Sequence, residues 1–487
     1  MVIQGFEAVP YLEAFRLEKA AGTHSRCVFR FATGEGQAAQ VLGRVGKTLC
    51  VTTDAGMPAF YGRIERVSRI ETQESFRLEV AAVALSITED EQSHDRVFQD
   101  EKKTMKDVLA AGKLGMKKST VTLDRTIGGA AYRPLLVQYR ETNMHFLCRI
   151  AKALGTHVWI KDTFPDRAAF LIGPRAAESR ATLHYEQLRS YAVHHVQLRR
   201  TAEICVEQYL ELGTRVRLGD ETMTYVITHA IVEKTEETFY GTYVLEEETA
   251  WKPPKLHIPV ESALTLRAAV TAVSTKGGEP VQQHGCVKLN FLDGVEDVGS
   301  AWVPYRTPYA GKAGGIVFLP ELGDIVEVTF AGEQAFVVSE FRTHPLQKEY
   351  GQPADKYIGN NFDQRILWKK DALELRSKTS SIILKEKSIA LTTGKAKITL
   401  DEKGIYLQYA DHAITLSDAG VAAKTPAAIG LEAAKNVTAK AGGALQMEAA
   451  QNATVNAYGN AAVKSGGAIR LDSSGETSVK ASSIHLG

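Results

Sequence analysis

AKITLDEKGIYLQYADHAITLS, residues 396–417, carries apolar residues in pairs one position apart: Ile398 and Leu400, Ile405 and Leu407, Ile414 and Leu416. In an extended chain residues i and i+2 share a face, so each pair points inward and the residue between it, Thr399 or Thr415, points out. The pairs continue in both directions. Ile389/Leu391 precedes them, and Val421/Ala423, Ile429/Leu431, Val437/Ala439, Leu445/Met447, Ala453/Val455, Ala461/Val463, Ile469/Leu471 and Thr477/Val479 follow. From 389 to 477 the series takes eleven steps over 88 residues, a mean period of eight. Upstream, Ile366/Trp368, Leu373/Leu375 and Ile382/Leu384 fit with steps of seven and nine, and Ile484/Leu486 closes the series. Between pairs sit Gly, Asp, Asn, Ser and Lys, which turn corners or meet water.

One octad supplies a short strand with two inward side chains, far too little to bury a core alone. A single-chain β-helix has several strands per coil and would show a longer period. Three chains wound about one axis solve the problem, each giving one face per layer, with Ile429, Leu431, Leu445, Met447, Ile469 and Leu471 among the residues that meet inside. At ~4.8 Å per octad, sixteen octads make a rod of roughly 75 Å. A disordered tail has no reason to hold such a register. A coiled coil needs an apolar period of 3.5 and resists this many glycines and β-branched residues.

Upstream of the repeat the chain reads as β with one helical interruption. Ser25–Phe31, Thr48–Thr53 and Phe76–Val80 have strand composition, and Gly34, Gly36, Asp54 and Pro58 act as breakers between them. From about Glu101 the pattern turns helical, with Met105, Val108 and Leu109 on one face. A second helix places Phe146, Leu147, Ile150, Ala151 and Leu154 at three- and four-residue steps and ends at Gly155. Residues 157–250 return to β, and Trp251-Lys252-Pro253-Pro254 marks a boundary. Five short strands, near Ala268–Ser274, Cys286–Phe291, Ala301–Pro304, Ile325–Phe330 and Gln334–Phe341, suit a small Greek-key barrel of the OB type.

The 487 residues exceed one core and suggest three or four domains. With 58 Lys+Arg against 57 Asp+Glu the chain has no electrostatic footprint for nucleic acid. Its five cysteines are scattered and form no CxxC pair, which argues for neither a disulfide framework nor a zinc site and fits a reducing cytoplasm. No signal peptide is visible and no apolar run approaches a membrane span.

Four segments resemble the VgrG spike family of type VI secretion systems and the related hub–spike proteins of contractile phage tails. They are Val97-Phe98-Gln99-Asp100, read as opening a helical stretch; Val137-Gln138-Tyr139-Arg140-Glu141-Thr142-Asn143 with Phe146-Leu147-Cys148-Arg149; Gly285–Leu289 with Trp302-Val303; and Leu322–Val328 with Phe330. Gln138, Tyr139, Arg140 and Glu141 are the family's most recognisable block, read here as structural. The resemblance implies a mainly β fold: a first hub β-barrel (1–100), a small helical α/β segment (101–180), a second hub barrel (181–255), an OB-fold barrel (262–345), a linker (346–365) and a C-terminal intertwined trimeric triangular β-helix (366–487). It also implies a homotrimer seated on a hexameric Hcp-like tube, capped by a PAAR-type tip protein and surrounded by baseplate proteins, with effectors as cargo. Such a particle assembles in the cytoplasm, is delivered outward and contacts the target membrane transiently. The resemblance spans a secretion system, a phage tail and an extracellular injection particle.

No enzyme motif, cofactor site or metal site is expected. The His194-His195 pair points to opposite faces of a strand, and neither HExxH nor GxSxG occurs. Linker 346–365 is too short to hold an inserted lysozyme. Ile484, His485, Leu486 and Gly487 form an apolar end suited to docking a cap, with His485 outward between its neighbours. The competing reading is an adhesive or carbohydrate-active tailspike, which needs clustered carboxylates where Glu432, Glu448 and Asp472 stand isolated.

Overall fold

The computed structural model describes the chain except residues 7, 8, 10, 72–75, 101–103, 111, 129–134, 175–178, 197–198, 236–237, 249–263, 275–284, 310–315, 317, 332–333, 342–354, 361 and 486–487. The Trp251–Pro254 boundary, half of the expected linker, and Leu486 and Gly487 lie outside the described residues. Two compact units result, Met1–Pro345 and Leu346–Gly487.

In the first unit, alternation drives two barrel-like sheets. Strands Leu12–Ala20, Arg26–Thr33, Thr48–Thr52, Pro58–Glu71 and Phe76–Ala84 turn Phe15, Leu17, Phe29, Phe31, Leu78 and Val80 into one core. Strands Arg180–Leu183, Arg199–Val206, Arg215–Leu218, Tyr225–Thr235 and Thr238–Glu247 enclose a second around Trp159, Tyr225, Ile227 and Tyr243. The two share one continuous sheet, because Leu12–Ala20 pairs antiparallel with Tyr225–Thr235, with His229 opposite Ala20 and Glu233 opposite Arg16. Gly34 and Gly36 do not simply break the chain. They flank the start of helix Glu35–Leu42, which buries Ala38 and Val41.

The helical interruption is smaller than its sequence suggests at the front and as expected behind. Met105–Val108 makes a single turn. Helix Asn143–Ala153 starts at Thr142, whose Oγ1 accepts from His145 N–H at 3.2 Å, and Gly155 with φ +63° follows its end. Val97–Asp100 belongs to strand Ser93–Asp100, not to a helix start. The reason is burial on both sides: Val97 enters the OB core and Phe98 the helical core, so polar alternation is erased.

The OB unit has a five-stranded antiparallel sheet, with strands Leu264–Val273, Cys286–Phe291, Val303–Pro304, Ile325–Ala331 and Gln334–Phe341 around Val270, Val287, Leu289, Val326 and Val328. One strand escaped sequence reading. Glu296–Ser300 leaves this sheet and pairs in parallel with Ser93–Asp100, stitching the OB unit to the helical layer.

In the second unit, residues 356–424 fold as a nine-stranded antiparallel meander. Residues 356–359, expected in the linker, already form its first strand, with Ile358 opposite Ile366. From Ala372 on, six-residue strands alternate with two-residue turns until the last, Gly420–Lys424. This is a different construction from the intertwined winding expected over these octads, and the spacing explains it. In an antiparallel hairpin the pair at the third and fifth strand positions faces the second and fourth of the next, as Ile382 faces Leu391 and Leu384 faces Ile389. Pair starts must therefore fall seven and nine residues apart in alternation. They do, at 366, 373, 382, 389, 398, 405, 414 and 421. The turns repeat every sixteen residues: Lys378, Gly394 and Ala410 open turns at one edge with φ of 50°, 54° and 50°. At the other edge Gly404 and Gly420 follow turns with φ of 155° and 111°.

Candidate functional site

Two regions carry the functional geometry: the polar junctions that lock the first unit, and the bare apolar face of the second. At the first junction, Lys19 projects from strand Leu12–Ala20 and is 2% exposed. Its Nζ lies 2.8 Å from Asp162 Oδ1 and 2.8 Å from Glu211 Oε1, and Tyr209 donates to Glu211 Oε2 at 2.6 Å. Asp162 follows strand His157–Lys161 and Glu211 precedes strand Arg215–Leu218 of the second barrel, so one ammonium ties three substructures. Burial pulls the Lys19 pKa down, but the two carboxylates outweigh it and hold it well above the ordinary lysine value.

The Gln138–Glu141 block lies in a second polar junction. Gln138 is fully buried and accepts from Arg96 Nη1 at 3.0 Å, and the same Nη1 donates to Asn143 Oδ1 at 3.0 Å. Asn143 Nδ2 donates to Glu89 Oε2 at 2.9 Å, and Arg96 Nε donates to Glu296 Oε2 at 3.0 Å. Tyr139 packs on the OB core. Glu141 takes a two-pronged grip from Arg149 of the helix, Nε to Oε1 and Nη2 to Oε2, both 2.7 Å. Each polar group has a partner, which makes the network a rigid joint between helix, hub strand and OB strand.

Arg140 has φ +51°, and its backbone N–H donates to Asp95 Oδ1 at 2.6 Å. A left-handed non-glycine residue is strained by roughly 1–2 kcal/mol. Arg140→Gly is therefore expected to leave stability unchanged or raise it by up to about 1 kcal/mol, the gain being trimmed by glycine's backbone entropy. Arg140→Val at the same position is expected to destabilise. Paired urea denaturation curves check the order; a glycine variant less stable than the valine one sinks the argument.

A Ser–His–Asp arrangement went unnoticed in the sequence. His24 Nδ1 is 2.8 Å from Ser86 Oγ and its Nε2 2.8 Å from Asp90 Oδ2, while Thr142 donates to the other Asp90 oxygen. No local motif could reveal it, since residues 24, 86, 90 and 142 meet only in the fold. Ser86 is 0% exposed, so its hydroxyl cannot meet a substrate without opening the core. The chain of bonds joins the first barrel to the cap of helix Asn143–Ala153. His194 and His195 lie exposed on strand Leu188–Val196, opposite Thr201 and Arg200. The cysteines are thiols rather than disulfides, and burial pushes the Cys27 thiol far up and the Cys148 thiol to about 11.

On the meander, every inward pair from Ile382 to Leu416 falls on one face, with cross-strand partners such as Leu391 and Ile398, or Leu400 and Ile405. These side chains remain 36% to 46% exposed in one chain. Beyond Lys424 no strand pairing occurs among the described residues, and the larger members of the pairs from Ile429 to Ile484 are 53% to 84% exposed. Ile429, Leu431, Leu445, Met447, Ile469 and Leu471 all lie in this stretch, open to solvent, as do Ile484 and His485.

Residues 270–338 match the family described as the type VI secretion system/phage-baseplate injector OB domain. No curated protein matches the sequence. Among solved structures, the chain is similar to an E. coli component of the type VI secretion system that itself resembles the T4 bacteriophage tail proteins gp27 and gp5. The match has 14% identity and a TM-score of 0.50 and covers 69% of this chain and 98% of that one. It is also similar to a chain of the Francisella PdpA–VgrG complex in its half-lidded form, at 7% identity and TM-score 0.50, over 85% of this chain and 84% of that one. The lidded form of that complex matches at 7% identity and TM-score 0.50, over 85% and 76%. With the injector OB domain at its centre and barrel-like sheets before it, the chain has the fold of a VgrG-type spike.

Proposed function

We propose that the protein is the trimeric hub and spike of a contractile injection system. Three copies bring their octad faces together as a needle, seat their barrel-like sheets on a hexameric Hcp-like tube, and transmit the force of contraction to a target envelope. The observation that carries this reading is the meander face. Ten aliphatic side chains from Ile382 to Leu416 lie on one side of a thin sheet, and each stays more than a third exposed in the single chain. Leaving such a face in water costs about 25 cal/mol for every Å² that a partner would bury. A threefold axis covers all three faces with the same residues and leaves none over.

A PAAR-type cap would dock at the apolar segment of Ile484, His485, Leu486 and Gly487, of which Ile484 and His485 are described and exposed. Effectors would travel on that cap or on the needle, and the surrounding contacts would be baseplate proteins. The work is mechanical: the Arg96–Gln138–Asn143 and Lys19–Asp162–Glu211 junctions stiffen the base, and no reaction is assigned to any residue. The particle would assemble in the cytoplasm and act outside it.

Light scattering combined with sedimentation on the purified full chain tests the reading. The expected mass is near three chains of 53.2 kDa. A stable single chain at micromolar concentration would end it.

A further inference from the structure

One carboxylate is enough to neutralise an ammonium, yet Lys19 has two, and the surplus charge sits in a mostly dry junction where it is costly to keep. The side chains of Lys19 and Asp162 are 2% and 1% exposed, while Glu211, at 35%, reaches the surface. Nζ lies 2.8 Å from Asp162 Oδ1, and a carboxyl C–O bond spans ~1.2 Å, so Nζ is at most about 4 Å from Asp162 Cγ. That is the edge of the ~3–3.5 Å at which an attacking atom sits before a bond forms. Glu211 Oε1 lies 2.8 Å from the same nitrogen, within reach of its protons. An amine, a carboxyl carbon and a base thus converge where little water enters.

The backbone around the three groups is pinned. The Asp162 carbonyl accepts from Tyr61 N–H at 2.6 Å. Gly22 N–H donates to the Val158 carbonyl at 2.8 Å, so the strand that ends beside Asp162 is tied to the chain just after Lys19. Leu212 N–H donates to Glu211 Oε1 at 3.3 Å, and the Tyr209 hydroxyl to Oε2 at 2.6 Å. Groups held this way react at effective concentrations far above those of free partners.

We propose that Lys19 and Asp162 condense to an intramolecular amide with Glu211 as general base, a reaction of the chain upon itself rather than upon a substrate. The ammonium first gives one proton, by way of Glu211, to the Asp162 carboxylate, leaving a neutral amine and a neutral acid. The Nζ lone pair then attacks Cγ and the N–C bond forms. Glu211 takes a second proton from Nζ and hands it to the departing hydroxyl. The C–O bond breaks and one water leaves. Glu211 ends as the carboxylate it began as, the net charge of the three groups is unchanged, and no oxidant or other reactant enters.

Burial supports the neutral acid, since desolvation pushes the Asp162 pKa up. The two carboxylates also hold the Lys19 proton, which keeps the free amine scarce and the reaction slow. A newly folded chain therefore carries the ion pair, and the amide accumulates as the chain ages. Once made, it ties strand Leu12–Ala20 to residue 162 by a bond that unfolding cannot break.

Intact-mass measurement on the denatured full chain, sampled over days at neutral pH after purification, tests this. The wild type is expected to lose the mass of one water in a growing fraction. Trypsin is then expected to release one branched peptide in which residues 17–26, uncut at Lys19, are joined to residues 162–167. Lys19→Met is expected to lose nothing, and Asp162→Asn to lose ammonia in place of water. Glu211→Gln is expected to react at least about a hundredfold more slowly. Wild type held in urea is expected to keep its full mass, because the three groups meet only in the fold. A folded wild type that keeps its full mass and gives no branched peptide would overturn the inference, whatever the variants do. So would a water loss that persists in Lys19→Met, which marks a cyclised aspartate elsewhere, or one that runs equally fast in Glu211→Gln. The bond lies within one chain, so none of these outcomes depends on how many copies assemble.

Discussion

Lys19→Ala is expected to cost the first unit about 3–5 kcal/mol, because it strands Asp162 and the partly buried Glu211 around an empty site. Desolvation of two carboxylates without a counter-charge is the dominant effect; the lost aliphatic stem adds a smaller packing cost. Lys19→Met tests the split. It restores the stem and leaves the charges unpaired, so it is expected to recover only a minor part. The triple change Lys19→Met, Asp162→Asn, Glu211→Gln removes the unpaired charges and is expected to recover most of the loss. Chemical denaturation monitored by tryptophan fluorescence measures all three. A triple variant no better than Lys19→Met would show that packing, not charge, holds the junction.

The same group sets a pH window. The Lys19 pKa in the folded chain lies above its unfolded value near 10.4, so its contribution is full below that value and is lost as pH rises through the folded pKa. Tyr209, held well above the ordinary tyrosine value by burial and by Glu211, acts in the same direction. The wild type is therefore expected to lose stability above about pH 10 more steeply than Lys19→Met. Parallel slopes would refute the assignment.

The second large effect concerns the needle face. Thr399 and Leu400 are neighbours on one strand and point to opposite sides of the meander. In the trimer proposed above, Leu400→Asp places a carboxylate from each copy against the shared axis, and is expected to leave single chains instead. The lost burial alone is worth roughly 2 kcal/mol per copy, before the cost of three converging charges. Thr399→Asp, one residue away, is expected to leave the trimer intact. Sedimentation of both variants beside the wild type decides. Equal behaviour of the two would mean that the apolar face does not hold the copies together.

Much of this was legible from local pattern. Cys286–Phe291 and Gln334–Phe341 announce themselves as strands by β-branched and aromatic composition, and helix Asn143–Ala153 by its apolar stripe and closing glycine. Ser93–Asp100 did not, because Val97 and Phe98 are buried in different cores and leave no polar side to read. Glu296–Ser300 is a strand only because Ser93–Asp100 lies beside it. The polar junctions were out of reach for a like reason: nothing near position 19 forecasts positions 162 and 211, and Gln138 finds Arg96 only after both strands are placed. The meander is a different case. Its signature stood in the seven- and nine-residue steps, but averaging them to eight hid the reversal of direction that they encode.

The pairing of Leu12–Ala20 with Tyr225–Thr235 has a consequence in time. A ribosome adding about 5–20 residues per second takes on the order of 10–40 s to pass from the first of these strands to the second. Throughout that interval the nascent first barrel offers an unsatisfied strand edge, and every neighbouring ribosome on the same message offers an identical one. The yield of correctly made protein is then governed by how well that edge is guarded during synthesis, and slower translation lengthens the exposure however stable the finished protein is.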